Sequence, residues 1–521
     1  MRSKLRLDTL SGYLIPSSLF YLALPYIIFV VGWLKWYLAI SCAGLIVFPL
    51  YFIIRKTIHT NREGQEQSCE IMVGGHIIIL VVVVGVLFLG VSGVGGYGYQ
   101  DTDWIKHNAI LKDLVERPWP VIYQLGGQNL PLVYYFAYYL PAAAVGKLGG
   151  WYLASQVLFA WSLMGLVMAT LWFLVLNRHI TFTGIALFVL FSGLDVIGEL
   201  ITRWVVAPIR PEVMSILKWD HIEQWSIGWQ YSSNATLLFW VPHQALAGWI
   251  ATGVFLYNML NSRQEKYGFF IVGLTALWSP FVTIGLLPYV LADFLLEAGS
   301  LPARIRSHFS WPDLCGLGLL AIAGLYYSAK FVTISPWLSG SIPQGFSLSF
   351  TADTGAKVIG FALIIVFCLL EFGLYSFFII RATRKWDTKA RGAFITTLVC
   401  LSLMPFYRFG GVNDFVMRAS IPALFVLAVF LGRTLFGHSL TGIKRIVLIA
   451  LVSLGSVTAL IEFHRHISGI YDAGTHMQTP PVSQVMSIDH WGVTTDKDVT
   501  IMLQYVGGLQ APFFEFMVKE H

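Results

Sequence analysis

The chain has 521 residues, of which 56% are hydrophobic and only 12% charged, and its mean hydropathy is +0.69. Soluble domains carry about a quarter charged residues, so water is excluded as the main solvent. The formal net charge of +6 is spread over short basic loops rather than one patch, which excludes nucleic acid as a partner and points to membrane topology.

Met1 to Asp8 is basic and precedes a long apolar run without a small-residue cleavage site, which predicts a retained first span. Runs near 13–34, 36–54, 71–94, 151–176, 357–380 and 446–463 reach the ~20 residues a helix needs to cross hydrocarbon. The two-residue alternation of an outer-membrane barrel is absent, so helices must satisfy the backbone in lipid. Cys42, Cys69, Cys315, Cys368 and Cys400 show no CxxC spacing and read as free thiols.

Lys and Arg cluster at the N-terminus, Arg55 to Arg62, Asn177 to His179, Arg263 to Lys266, Arg304 to His308, Arg381 to Arg391, and Lys444 with Arg445. The positive-inside rule assigns these to the cytoplasm. Outside it leaves 95–150, 201–235, 331–356, 406–418 and a tail from 464 to 521. Parity closes at about thirteen spans if 131–147 lies in the interface and 268–297 makes two short passes broken at Ser279, Pro280 and Pro288. The predicted fold is therefore an all-α polytopic membrane protein. Residues 1–70 form two helices and a basic loop, 71–463 the membrane core, and 464–521 a short extracytoplasmic tail.

The first large outer loop runs from Gly96-Tyr97-Gly98-Tyr99 through Asp101-Thr102-Asp103-Trp104-Ile105-Lys106-His107 to Pro118-Trp119-Pro120. From Asp103 it reads as helical until the prolines, which puts Asp103, Lys106, His107 and Ile110 on one face. A carboxylate, an ammonium and an imidazole then converge at the membrane surface. Asp101 or Asp103 can equally serve as a helix cap, accepting backbone N–H groups at the positive end of the dipole.

Asp103, His107, Ile110 and Asp113 follow one another at offsets of four, seven and ten, and Leu130-Pro131-Leu132-Val133-Tyr134-Tyr135 leads to Gly146-Lys147-Leu148-Gly149 before a span. This stretch, 97–178, resembles the GT-C superfamily, the polytopic glycosyltransferases that use lipid-phosphate-linked sugars, protein O-mannosyltransferases and aminoarabinose transferases of lipid A among them. The likeness extends more loosely to Gly273 to Pro288. Two extra spans precede the loop, and Asp103-Trp104 stands where Asp-Glu is usual, so the resemblance is to the superfamily and not to a subfamily.

It implies an inverting transfer from a polyprenyl-phosphate-linked sugar donor to a glycan, lipid or protein acceptor, on the extracytoplasmic side of a bacterial plasma membrane. Asp103, or failing it Asp101, is the expected base, because an acceptor hydroxyl must lose a proton. Lys106, His107, Arg203, Arg210 and Arg418 are the cations and donors expected at the phosphate.

The second outer loop, Arg203-Trp204 through Arg210-Pro211-Glu212 to Lys218-Trp219-Asp220-His221-Ile222-Glu223, mixes charge with Trp as a sugar subsite does, or as an amphipathic segment on headgroups does. No cofactor is expected; a divalent cation held by Asp220, His221 and Glu223 is the open alternative. His243, in Pro242-His243-Gln244, is an ionisable group at a span end and joins the substrate-binding candidates. Asp414 and Arg418 stand at helical spacing, where pairing is the simplest use, and binding requires Arg418 to turn inward. Asn234-Ala235-Thr236 matches a glycosylation acceptor, a pattern without meaning in a bacterium.

Two other classes fit a many-span chain. A transporter or lipid flippase would place ionisable residues at mid-bilayer depth in broken helices, and here only Lys330 and Glu371 stand near spans. A glycan ligase or polymerase using a lipid-diphosphate donor would carry its large outer loop late in the chain, whereas the largest here is early.

Overall fold

A computed structural model describes the chain except residues 1–3, 64–71, 126, 216, 262–265, 333–343, 348–353, 384–385, 411–412, 438–439, 473–478, 492–503 and 520–521. The first half carries helices α1 Leu7–Trp33, α2 Trp36–Glu63, α3 Gly75–Gly90, α4 Asp103–Glu116, α5 Leu140–Asn177, α6 Phe182–Leu190, α7 Asp195–Ile201, α8 Asn234–Trp240 and α9 Pro242–Leu260. The second carries α10 Gly268–Thr275, α11 Pro280–Leu296, α12 Leu301–His308, α13 Trp311–Ser328, α14 Thr354–Cys368, α15 Leu374–Thr383, α16 Thr388–Leu403, α17 Asp414–Ala419, α18 Ile421–Phe436, α19 Ile443–Asp472 and α20 Ile488–Trp491.

Among the described residues seven helical segments are long and apolar enough to cross a membrane: Leu7–Trp33, Trp36–Ile58, Ala137–Asn177, Phe182–Val206, Trp311–Phe331, Lys357–Thr383 and Ile443–Tyr471. Shorter apolar helices, α3, α11 and α18, accompany them. The chain is thus a mostly helical, multi-pass membrane protein.

The sequence pattern explains the packing. Along α1, Ile15, Leu19, Leu22, Tyr26, Phe29 and Trp33 recur every three or four residues and are buried, while Tyr13, Phe20 and Val31 are exposed. One face therefore meets protein and the other is apolar enough for lipid. Lipid is as apolar as Leu, so close contact must hold helices together. A Cβ on Gly273 would come within 2.5 Å of the Gly316 carbonyl oxygen, so α10 and α13 touch backbone to backbone only because both positions lack side chains.

Among the described residues three short antiparallel pairs trim the ends: β1 Lys4–Arg6 with β2 Met72–Gly74, β3 Ile122–Leu125 with β4 Gln128–Pro131, and β5 Gln344–Phe346 with β6 Tyr407–Phe409. In the last, Gly345 faces Arg408. At the C-terminal end of α1, Trp33 stacks on Trp119 and Phe136, at 5.1 and 5.0 Å between ring centres, and so anchors the chain that follows α4.

The loops sort into two groups. Lys266, Asp293, Glu297, His308 and Lys389 form one ion-pair network, with Lys266 Nζ 2.9 Å and Lys389 Nζ 3.2 Å from the Asp293 carboxylate. Three of the basic loops assigned to one side therefore meet. The second group, from α4, the 134–139 segment, the 221–240 region, the 407–418 turn and the end of α19, meets elsewhere and is described below.

Several finer features differ from the sequence reading. Pro288 lies inside α11 without breaking it, whereas the chain does break at Ser279, whose hydroxyl caps α11. The 131–147 stretch divides: β4 ends at Pro131, and α5 begins at Leu140 and turns sharply at Gly150, where φ is +77°. The last span does not stop near 463; α19 continues to Asp472 and carries its polar final turns beyond the apolar run. Cys69 and most of 331–356 lie outside the described residues.

Candidate functional site

Asp103 takes the first position of α4, where its charge complements the dipole. Its carboxylate makes no capping bond among the described residues. Instead Oδ2 lies 2.6 Å from Lys106 Nζ, one turn on. Burial acts to raise the Asp103 pKa, but the Lys106 ammonium, with Arg418, outweighs it and holds the carboxyl below its ordinary value.

Lys106 is itself buried, which lowers its pKa against the pull of Asp103. His107, on the same face, bonds Tyr139 Oη through Nδ1 and the Trp240 carbonyl through Nε2 at 2.9 Å. A carbonyl only accepts, so Nε2 carries the proton and Nδ1 accepts from the tyrosine. Burial first, then Lys106, pushes the imidazole pKa down to about 3, so it is neutral at physiological pH.

Arg418, on α17, reaches the same place from the far end of the sequence. One terminal nitrogen pairs with Asp414 at 2.7 Å, as the helical spacing suggests, and the other donates to Tyr135 Oη at 2.7 Å. Tyr135 stacks on Tyr134 and on His243, with ring centres 3.8 and 5.4 Å apart. His243 is wholly buried behind these rings, 5.2 Å from His107.

In front lies a cavity of about 380 Å³ whose wall includes Asp103, Arg408, Arg418, Trp229, Trp240 and Gln230. Ligand pockets typically span about 300–1,000 Å³. A carboxylate and two guanidinium groups face it across indole surfaces, an arrangement able to hold an anion beside a proton acceptor.

Gln230 and Thr236, also in the wall, donate to the carboxylate of Glu223 behind it, at 2.7 Å each, and Ser233 N–H adds a third bond at 2.9 Å. Burial above all, with neighbouring Asp195, pushes the Glu223 pKa up to about 7.

Asp103, Lys106, His107, His243 and Arg418 are thus brought together, although only Asp103 and Arg418 among them line the cavity. Asp101 is separated from them. Its carboxylate is 2.5 Å from the Arg465 guanidinium of α19 and accepts the Thr102 N–H.

Arg203 and Arg210 are not in the cavity wall. Arg203 pairs with Glu199 at 2.5 Å and lies 3.9 Å over Trp219, which is exposed along with Trp204 and Ile209. That surface matches the headgroup reading of the loop. Asp220, His221 and Glu223 do not converge as a cation site: His221 Nδ1 is 2.5 Å from Glu462, Asp220 is exposed beside Arg465, and Glu223 is turned to its own donors. Asp293, Glu297 and His308 converge closely enough to hold a metal, but the Lys266 and Lys389 ammoniums already neutralise their carboxylates.

Sequence reasoning missed Arg408, Trp229, Trp240 and Tyr135 as parts of this site, and Glu462 and Arg465 as its support. Tyr135 stood in the Leu130 to Tyr135 motif without a role of its own, and Glu462 and Arg465 left a signal as charged residues in the final turns of an apolar helix. No protein-family model, curated protein or solved structure matches the chain.

Proposed function

We propose that the chain is a membrane glycosyltransferase of the kind its first outer loop resembles, moving a sugar with inversion from a polyprenyl-phosphate donor to an extracytoplasmic glycan, lipid or protein acceptor. The reading places about thirteen spans in a bacterial plasma membrane with the cavity outside. The observation that carries it is the shared cavity of Asp103, Arg408 and Arg418.

The acceptor oxygen attacks the anomeric carbon, the bond from that carbon to the phosphate oxygen breaks, and its electron pair leaves with the polyprenyl phosphate. Arg418 and Arg408 meet the charge that develops there. The hydroxyl proton passes to Asp103. A carboxyl with a depressed pKa is a weak base toward a neutral alcohol, but the attacking oxygen becomes strongly acidic once its new bond has formed. Asp103 therefore suits late proton transfer, and a phosphate that draws Lys106 toward itself would raise its basicity. The neutral His107 holds Trp240 and Tyr139 and adds no charge to the site.

The test is release of sugar from a panel of polyprenyl-phosphate hexoses and pentoses by the purified protein in vesicles supplied with membrane extract as acceptor. Release by wild type and its loss in Asp103→Asn are expected. A folded wild type inactive on the whole panel would overturn the proposal, and turnover confined to an added lipid-diphosphate donor would move it to the ligase class.

A second reading, a proton-coupled transporter or flippase, rests on the buried carboxylates Asp195 and Glu371. Glu371 sits in a π-helical turn, Leu369–Gly373, a distortion frequent at functional sites. It accepts the Trp225 N–H at 3.1 Å, and Asp195 accepts from Ser192 and Thr458 at 2.9 Å each. An intramembrane carboxylate is a candidate functional group by default. Substrate or lipid movement across vesicles that Glu371→Gln abolishes, without sugar release, would favour this reading.

A further inference from the structure

A second cavity lies at the other end of the same helices. α5 and α18 begin beside the first site, at Leu140 next to Tyr139 and at Ile421 just after Arg418, and they end at Asn177 and Phe436. The 16 residues of α18 alone separate the ends by about 24 Å. Between the two helix ends and the start of α16 is a cavity of about 400 Å³ lined by Arg178, His179, Asp387, Arg433 and Phe436.

We propose that this cavity is an anion site for a phosphate-bearing group, independent of the transferase reading. One of its two guanidinium groups is fixed in place by the fold. Arg433 donates through Nε to the Leu176 carbonyl at 2.7 Å, one of the last carbonyls of α5. That bond fixes the plane of the guanidinium and leaves its two terminal nitrogens without a carboxylate in ion-pair range among the described residues. α18 comes this close because of Gly432, where a Cβ would lie 2.2 Å from Asn177 Oδ1.

Arg178 follows α5 in the left-handed region, with φ at +56°. Glycine is the usual residue at that position, because a Cβ there crowds the backbone. Strain kept at a residue that supplies a cation to a cavity is accounted for by use of the cation. Arg178 also has no carboxylate in ion-pair range among the described residues.

Among the described residues of the wall the one carboxylate, Asp387, is exposed to water, and its Oδ1 accepts the Ala390 N–H at 2.8 Å as the cap of α16. His179 stacks flat on Phe436, with ring centres 3.9 Å apart, and bonds Thr183 at 3.1 Å, which closes one side of the cavity. The site therefore offers two positive charges against one screened negative charge. Bidentate guanidinium bonding suits a phosphate oxygen pair. A phosphodiester lipid headgroup and a soluble phosphate share that chemistry.

The probes are phosphatidylglycerol against phosphatidylcholine, retained by the purified full-length protein in native mass spectrometry, and inorganic phosphate at fixed ionic strength, read by the thermal midpoint. Selective retention of phosphatidylglycerol is expected, falling about fivefold for each Arg removed in Arg178→Gly and Arg433→Gln. A midpoint raised by inorganic phosphate, and lost in the same variants, would identify a soluble phosphate as the ligand and also support the site. Arg178→Gly relieves the backbone, so its loss of binding is not a loss of fold. Equal retention of the two lipids with no effect of phosphate, or binding unchanged in the double variant, overturns the proposal.

Discussion

Replacing Asp103 by Asn separates its charge from its shape, and the structure sets the magnitude of each effect. The carboxylate is 2.6 Å from Lys106 Nζ, with side chains 27% and 9% exposed. The amide therefore leaves an ammonium nearly out of water without its counter-charge. Breaking a buried pair from one side costs about 3 to 5 kcal/mol, and the partial exposure of Asp103 sets the expectation near the lower figure.

Loss of a general base costs a further ~10² to 10⁴ in rate. The double variant Asp103→Asn/Lys106→Met removes both charges, so stability should return to within about 1 kcal/mol of wild type. Sugar release should stay lost. Thermal midpoint and release rate per folded molecule read the two effects separately. A double variant that recovers stability and turnover together would make Asp103 a partner of Lys106 and nothing more. Asp101→Asn, which unties Arg465, should instead lose stability while each folded molecule keeps its turnover.

Arg418→Ala should weaken binding of a polyprenyl-phosphate analogue about tenfold or more, whereas Arg203→Ala and Arg210→Ala should leave it unchanged; equal losses in all three would move the anion site toward the second loop. Glu223 supplies a pH dependence: its pKa is raised in the fold from an ordinary 4.5 to about 7. Its stabilising contribution is therefore full below about pH 4.5 and is lost as pH rises through about 7. The thermal midpoint of wild type relative to Glu223→Gln should fall across that window, and a constant difference would contradict it. Single-Cys labelling of intact cells should reach 101–130 and not the Arg381 to Arg391 loop, and the reverse pattern would invert the topology.

What could be read from the sequence was local. Asp103, Lys106 and His107 share a face because helix geometry fixes it within one turn, and Asp414 meets Arg418 for the same reason. The membrane character followed from apolar runs alone. What could not be read was contact at long range: no pattern in the chain says that Arg418 reaches Tyr135, or that Arg408 of β6 shares a cavity wall with Trp229.

Asp101 is drawn away from Asp103 by such a contact, since Arg465 pairs with it from a helix whose polar end resembled the start of a tail. Arg203 was the opposite case. Its partner Glu199 lies four residues upstream, so the pairing was legible locally and competes with any role at a phosphate.

In the proposed reaction the cavity between Asp103 and Arg418 holds a lipid-linked phosphate. Electron cryomicroscopy of the protein with a non-hydrolysable polyprenyl-phosphate sugar analogue tests it directly. Headgroup density is expected in that cavity, with phosphate oxygens in hydrogen-bond reach of Arg418 and the sugar against Trp229 and Trp240. Headgroup density elsewhere, with the cavity unchanged, would contradict it.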